Sequence, residues 1–374
     1  QTYHLVHPES RKTLSVGLIR MANTGPLMAL ALGLYQLQLG EAFPDTHIHL
    51  CCYHSRQVLI LRSELEEKLD RILKRDEHQP GGIFTHPEIE QALNKSAARH
   101  HVFIVLASPV AEIGRDHDYD WAIVEPSSMR SLIQLTGRVW RHRPGLTASR
   151  PNILIWQFNI KALINAYTGG HSPAFYWPGF EDRAHLLSTH DCSVLFSPEQ
   201  LAHISAIPRI VRPDTPDASS RLADLEHQVM QELMNNDGLN FVNAYWQKPD
   251  TANRASAHLQ LISPFRASRT EEQWLLVPEE GGGFNAYAAE QVREKGLQHS
   301  STQNKILQSF DLPHSNACLS PWLTAGLHAS LEKLQHRMPE KSINYLACRY
   351  ATVQLPQHQN GWYFHEWFGF WRVD

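Results

Sequence analysis

Gln134-Leu-Thr-Gly137-Arg138-Val-Trp-Arg141 decides how this chain is read. The stretch is predicted to lie on a helix that opens after Pro126, with Ser127 or Ser128 as its N-cap. On a 3.6-residue helix, positions 134, 137, 138 and 141 share one face. That face carries an amide, a glycine and two guanidinium groups, with Leu132, Val139 and Trp140 on the remaining faces. Two permanently charged forks one turn apart suit an anion with several oxygens, such as a triphosphate.

The preceding residues sharpen the reading. Val102-Phe-Ile-Val-Leu106 is a short β-branched apolar run and reads as a buried strand. Ser108-Pro-Val-Ala-Glu-Ile-Gly114-Arg-Asp116 follows, and Trp121-Ala-Ile-Val124 reads as a second strand before the arginine helix. The order is strand, loop with Gly and Asp, strand, helix. It resembles motifs V and VI of superfamily 2 helicases, whose patterns are Thr or Ser, then Gly-x-Asp, then Gln-x-x-Gly-Arg-x-x-Arg. The longer strings Ala111-Glu-Ile-Gly-Arg-Asp-His-Asp-Tyr-Asp120, Ser127-Ser-Met-Arg-Ser131 and Gly137-Arg-Val-Trp-Arg-His-Arg143 narrow the resemblance. They look most like the CRISPR-associated helicase–nuclease of type I systems, in its type I-F (Ypest) branch. The resemblance is strong over residues 10–145 and weak beyond.

It implies roles for named residues. Arg138 and Arg141 would spread transition-state charge on a γ-phosphate as arginine fingers, and Gln134 would orient a phosphate or water. Gly114, Asp116 and Gly137 would belong to the nucleotide site: Gly114 permits a tight turn, and Asp116 accepts from a ribose hydroxyl or from a finger arginine. Ser108 stands where the family usually has Thr and keeps the hydroxyl that contacts a DNA phosphate. Arg20, Asn23 and Thr24 follow the first strand, at the place of motif IV, and offer phosphate donors or ordinary helix capping. His54-Ser55-Arg56 resembles the His-Ser-Arg element that borders the DNA path in that family.

Elsewhere the chain alternates strands and helices. Thr13 to Arg20 and Thr46 to Tyr53 read as strands, Thr24 to about Leu39 as an apolar helix, and Asn152 to Trp156 as a further strand. Val58 to Arg75 reads as an amphipathic helix with Leu61, Leu65, Leu69 and Ile72 on one stripe. The expected fold is α/β: a RecA-like parallel sheet with helices on both faces, whose ligands bind outside the carboxyl ends of the strands. Residues 1–160 would be the second RecA-like domain, 161–218 a Pro-, Ser- and His-rich linker region, and 219–374 a smaller α+β accessory domain. There, Ser219 to Asn235 reads as a helix with Leu222, Leu225, Val229 and Leu233 as core, ended by Asn236-Asp-Gly238. Leu346 to Val353 and Trp362 to Trp371 read as a terminal hairpin across Gln359-Asn-Gly361. Its aromatic strand could stack bases, but core is the favoured reading.

Composition sets limits. A 374-residue chain that is 42% hydrophobic can bury a sizeable core in about two domains. No apolar run has the length of a membrane span, and no secretory signal is read at the start. That start, Gln1-Thr-Tyr-His-Leu, lacks Met, and the chain is expected to be a fragment. The five cysteines form no CxxC pair, which points to a reducing, cytoplasmic setting and away from a zinc ribbon. The net charge of −4 argues against a generally sticky nucleic-acid binder. Yet Pro126 to Phe180 contains no Asp or Glu, while carrying Arg130, Arg138, Arg141, Arg143, Arg150 and Lys161, the footprint of a phosphate-facing surface.

Two patterns are set aside. Asp76-Glu-His-Gln79 spells a helicase motif II but follows a charged helix end, not a buried strand. His190-Asp191 and His117-Asp118 resemble the pair that names HD nucleases, without further ligands at sensible spacing, so no metal site is expected. There is also no Gly-x-x-x-x-Gly-Lys-Ser/Thr loop. The chain therefore carries the finger side of a two-lobed motor. ATP with Mg would be shared with a first lobe outside this chain. The intact family protein has, in addition, a Cas-two-like region and an HD nuclease with its own divalent metal. Implied partners are single-stranded DNA, the RNA-guided type I-F surveillance complex and the CRISPR adaptation integrase; a membrane is not among them. Two alternatives stand beside this reading. One is a non-catalytic, degenerate helicase lobe serving as a protein-binding scaffold, against which the paired arginines argue. The other is an α/β metal hydrolase using the histidines, which metal analysis would separate.

Overall fold

The computed structural model describes residues 3–37, 40, 42–75, 82–112, 114–235, 270–279, 283–312 and 316–372. Asp76 to Gln79, Asn236 to Gly238 and the side chain of Leu233 lie outside the described residues. The chain divides into two compact units. One comprises residues 1–124, 134–154 and 270–374, and the other residues 125–133 and 155–269.

The first unit is built on a mainly parallel sheet. β1 (Leu5–Val6) pairs antiparallel with β2 (Thr13–Arg20). Next come β3 (Thr46–Tyr53), β4 (His100–Ala107), β5 (Trp121–Val124) and β6 (Ile153–Ile155). Later in the chain come β7 (Glu271–Pro278), β8 (Phe284–Ala288), β9 (Leu307–Ser309) and β10 (Leu319–Pro321). The sheet runs β10-β3-β4-β2-β5-β6. β2, β3, β4, β5 and β10 pair in parallel. Near-continuous burial along β2, β3 and β4 is the signature of strands covered on both faces. The parallel α/β sheet expected from the sequence is thus present. Gly17, within β2, is required by a close approach: a Cβ there would stand 2.1 Å from the Trp121 indole.

Helix α1 (Thr24–Gln36) follows β2, and α2 (Leu59–Leu73) follows β3. The stripe Leu61, Leu65, Leu69 and Ile72 is buried as its spacing dictates. Helix α3 (Pro87–Lys95) begins with Pro at its first position and buries Ile89, Ala92 and Leu93.

The C-terminal residues build two small sheets, completed by β11 (Thr352–Pro356), β12 (Trp362–His365) and β13 (Gly369–Arg372). Their orders are β11-β7-β8 and β13-β12-β9. Trp274, Leu276, Val353, Leu355, Trp362 and Phe370 share one apolar cluster with Val58, Ile60 and Leu61 of the first half of the chain. The expected terminal hairpin is corrected in its partners. Ile343–Tyr350 is helical, started by Ser342, whose hydroxyl accepts from Tyr345 N at 3.2 Å. β11 pairs with β7, and β12 turns back on β13. The aromatic strand is core: Trp362, Phe364 and Phe370 are buried.

The second unit contains helices Ile160–Thr168 and Leu222–Asn235 with three short ones between them. Asn159 caps the first by accepting from Ala162 N at 2.8 Å, and Gly169 ends it in the left-handed conformation. Leu222 and Leu225 are buried, while Val229 is half-buried. Glu181 accepts from Ala174 N, Phe175 N and Leu187 N, at 2.7, 2.8 and 2.9 Å. Glu226 accepts from Met129 N at 2.7 Å and so caps the helix Met129–Thr136.

Candidate nucleotide and nucleic-acid site

Register places the candidate loops at one level. Arg20 is aligned with Ala107 and with Val124, and Ala107 with Tyr53. The segments 21–24, 54–57 and 108–112 therefore all leave the carboxyl edge of the sheet, where α/β ligands bind.

After β4 the chain passes Ser108 and a short 3-10 turn, Pro109–Glu112, then reaches Gly114 at φ +68°. A side chain at Gly114 would meet open space but would be strained by that dihedral. Arg115 reaches α2, with Nη2 2.5 Å from Glu66 and Nη1 2.7 Å from Asp70. His117 meets Asp70 at 2.8 Å and the Tyr119 hydroxyl at 3.0 Å. Burial lowers the His117 pKa, with Asp70 acting against the shift.

The alternate residues hold different partners. Asp116 Oδ1 lies 2.5 Å from Arg141 Nε and 3.0 Å from His142 Nε2. Arg141 first, then His142, hold its carboxyl below the usual carboxylate range. Asp118 and Asp120 meet Arg143 at 2.5 and 2.8 Å. Asp120 also pairs with Arg75 at 3.0 Å and accepts from Val16 N at 2.7 Å. Three aspartates spaced two apart thus hold the arginine segment, an arrangement open to extended but not helical backbone.

The arginine segment itself requires a correction. Helix α4 (Met129–Thr136) opens as expected, with Ser128 Oγ accepting from Ser131 N at 3.1 Å. It stops at Thr136, so positions 134, 137, 138 and 141 do not share a helix face. Gln134 is exposed on its last turn. Beyond it, Arg138 O accepts from Tyr119 N at 2.8 Å and Trp140 N donates to Tyr119 O at 3.0 Å. This pairing with Tyr119, between two of the aspartates, with Trp140 at φ +53°, replaces the helical bonds. The Gly137 carbonyl accepts from Arg141 Nη1 at 3.2 Å. Arg138 Nη2 donates to the Glu112 carbonyl at 2.9 Å. Burial lowers the Arg138 pKa, and the charge of Arg141 adds to the effect. Arg138, Arg141 and Asp116 are thus brought together by tertiary pairing. An exposed and a half-exposed guanidinium at the sheet edge fit an anionic ligand with several oxygens. The expected basic surface over residues 126–180 is narrower than its sequence suggests, since Arg143 faces two buried carboxylates.

The other candidates differ in access. Asn23 and Thr24 are half-exposed, and Asn23 makes no side-chain cap. Ser55 is exposed, and Arg56 lies over the Trp362 ring at 4.9 Å. Ser108 is buried. Arg20 and His54 have no accessible surface, so neither side chain reaches a strand from where it lies. Arg20 Nε is 2.7 Å from Glu112 Oε1. His54 Nε2 donates to Phe368 O at 2.7 Å, and its Nδ1 accepts from Arg56 N at 3.1 Å. Burial pushes His54 down to about 4.

The two His-Asp pairs make the following contacts. His190 pairs with Glu181 at 2.8 Å, and Asp191 caps a helix through Ser193 N. His117 and Asp118 point to different partners. Among the described residues no three His, Cys, Asp or Glu side chains are grouped to hold a metal ion. No described helix is long and apolar enough to cross a membrane. The sequence reading missed Glu112, Arg75, His142 and Arg143 as members of the network, although aspartates at 116, 118 and 120 were a visible period-two signal.

Residues 15–144 match the family described as CRISPR-associated nuclease/helicase Cas3, C-terminal, and residues 275–372 match the Cas3 subtype I-F/YPEST-like C-terminal domain. The chain belongs with the C-terminal region of subtype I-F/YPEST Cas3. It is 40% identical, over 98% of its length, to the CRISPR-associated nuclease/helicase Cas3 of that subtype from Pseudomonas aeruginosa. To the Cas3 of Pectobacterium atrosepticum it is 36% identical over 98% of its length. The chain spans about a third of the length of these curated relatives, 33% and 32%. The T. fusca Cas3 crystal structure is 19% identical over 38% of this chain and 14% of that one, with a TM-score of 0.27. A crystal structure described as a CRISPR-associated protein is 16% identical over 72% of this chain and 29% of that one, with a TM-score of 0.33.

Proposed function

We propose that this chain supplies the second RecA-like lobe, over residues 1–160, and the C-terminal portion of an ATP-driven single-stranded DNA translocase. The complete protein would also carry a nuclease and act in CRISPR interference, recruited by an RNA-guided surveillance complex. One observation carries the reading: Asp116 and Glu112 of the glycine–aspartate loop hold Arg141 and Arg138 at the carboxyl edge of the sheet.

ATP with Mg, when bound by a first lobe, would supply the γ-phosphoryl group that passes to water, with ADP as the leaving group and Mg as counter-ion. Arg141 and Arg138 would turn from Asp116 and the Glu112 carbonyl to the γ-phosphate oxygens. There they would spread the charge that develops in transfer, a contribution of roughly three to five orders of magnitude in rate. Gln134 would orient the attacking water or a phosphate oxygen. Gly114 and Gly137 leave the backbone free to approach. Asn23, Thr24, Ser55 and Arg56 are the accessible donors for a DNA backbone, with His54 and Ser108 shaping the loops beneath them. Contact to phosphates rather than bases suits movement on arbitrary sequence.

The test uses the complete protein. Arg138→Ala or Arg141→Ala should cut ATP hydrolysis by about a thousandfold or more, to a small residual rate, while nucleotide binding survives; near wild-type turnover removes that residue from the assignment. The isolated chain should show no DNA-stimulated ATPase, because the phosphate-cradling loop lies outside it. Arg56→Ala should weaken single-strand binding and flatten its salt dependence.

A further inference from the structure

Arg20 ends β2 and Glu112 ends the turn after β4, yet their side chains meet in the protein interior at 2.7 Å. Neither is exposed by more than a few per cent, 0% for Arg20 and 5% for Glu112. Burying a guanidinium and a carboxylate costs several kcal/mol per ion, and their attraction returns this only in good geometry. Apolar residues of similar volume would stabilise the fold at least as well. The pair therefore calls for a reason other than stability.

The reason lies in the backbone of Glu112. Its side chain meets Arg20 at 2.7 Å, and its carbonyl accepts from Arg138 Nη2 at 2.9 Å. The same turn is tied at its start, where Ala111 N donates to Ser108 O at 3.2 Å. A peptide tethered at both places keeps its carbonyl in one direction. We propose that Arg20 and Glu112 are positioning residues for Arg138, fixing the seat from which its guanidinium acts. The inference rests on the reading of Arg138 as an arginine finger. It gives Arg20 a role that needs no contact with DNA.

The experiment uses the complete protein. Arg20→Met alone would leave a buried carboxylate unpaired, so the informative variant is Arg20→Met/Glu112→Met, which removes both charges. Its thermal midpoint should stay near or above wild type. Its KM for ATP should change by less than about twofold, and its affinity for single-stranded DNA should hold. Its kcat should fall by about tenfold or more, a misplacement effect. Added to Arg138→Ala, the double change should lower residual turnover no further, because it acts through that residue. Wild-type kcat in the double variant overturns the proposal, as does full additivity with Arg138→Ala. If Arg138→Ala itself hydrolyses ATP normally, the finger reading falls instead. Should the double variant fail to fold, Arg20→Lys decides. It keeps the charge but lacks the planar guanidinium that meets Glu112, and wild-type kcat there overturns the proposal.

Discussion

Asp116 Oδ1 sits 2.5 Å from Arg141 Nε, joining the glycine–aspartate loop to the arginine segment 25 residues on. The pair is partly exposed, so its value lies in orienting Arg141 more than in stability. Asp116→Asn should leave the thermal midpoint within a few degrees. In the complete protein it should lower kcat for ATP by about tenfold, read by steady-state hydrolysis at saturating DNA. Unchanged kcat would show that Asp116 has no part in placing Arg141.

Arg143 has the opposite balance. It faces Asp118 and Asp120, which are both buried. Arg143→Ala leaves buried Asp118 without the cation it faces and Asp120 with Arg75 alone, at a cost of about 3–5 kcal/mol. Urea unfolding should show that loss, and adding Asp118→Asn should recover part of it.

Gly369 stands at φ +75°, and a Cβ there would fall 2.6 Å from Arg56 O and 2.9 Å from both Gln57 Cγ and His54 Cε1. Gly369→Ala should destabilise by about 1–3 kcal/mol. It should also disturb the 54–57 loop, seen as weaker single-strand binding by the complete protein. An unshifted midpoint would mean the turn yields freely.

His54, His49 and His101 are buried neutral, pushed down to about 4, about 2 and about 4 by desolvation. Unfolded, each takes a proton near pH 6.5. Between about pH 6.5 and 4 the unfolded chain binds more protons, so stability falls as pH falls through that window. Denaturant midpoints measured from pH 7.5 to 5 should decline, and His54→Gln should make the decline shallower. A flat profile would contradict the buried neutral state.

What could be read beforehand follows how local each cause is. Strand β4 was legible because a covered parallel strand is written as a continuous apolar run, Val102 to Leu106. Helix α2 was legible because Leu61, Leu65, Leu69 and Ile72 keep a helical period. Proximity of Asp116 to Arg141 followed from motif order. The end of α4 at Thr136 was not legible, because Tyr119 competes for the backbone of Arg138 and Trp140. The burial of Arg20 was hidden for the same reason: its partner, Glu112, lies far off in sequence. The helix Ile343–Tyr350 was misread although Leu346, Ala347 and Arg349 are good helix formers behind a Ser cap.

β10 completes the outer edge of the main sheet by pairing Leu319, Ser320 and Pro321 with Ile48, His49 and Leu50. On a ribosome these partners are born far apart in time. At about 5–20 residues per second, the β3 edge would wait for roughly 15–50 s before its neighbour emerges. Throughout that interval a nascent chain presents an open row of backbone donors and acceptors to any passing strand. Synthesis rate and holding factors, rather than final stability, would then govern how much of this protein escapes aggregation.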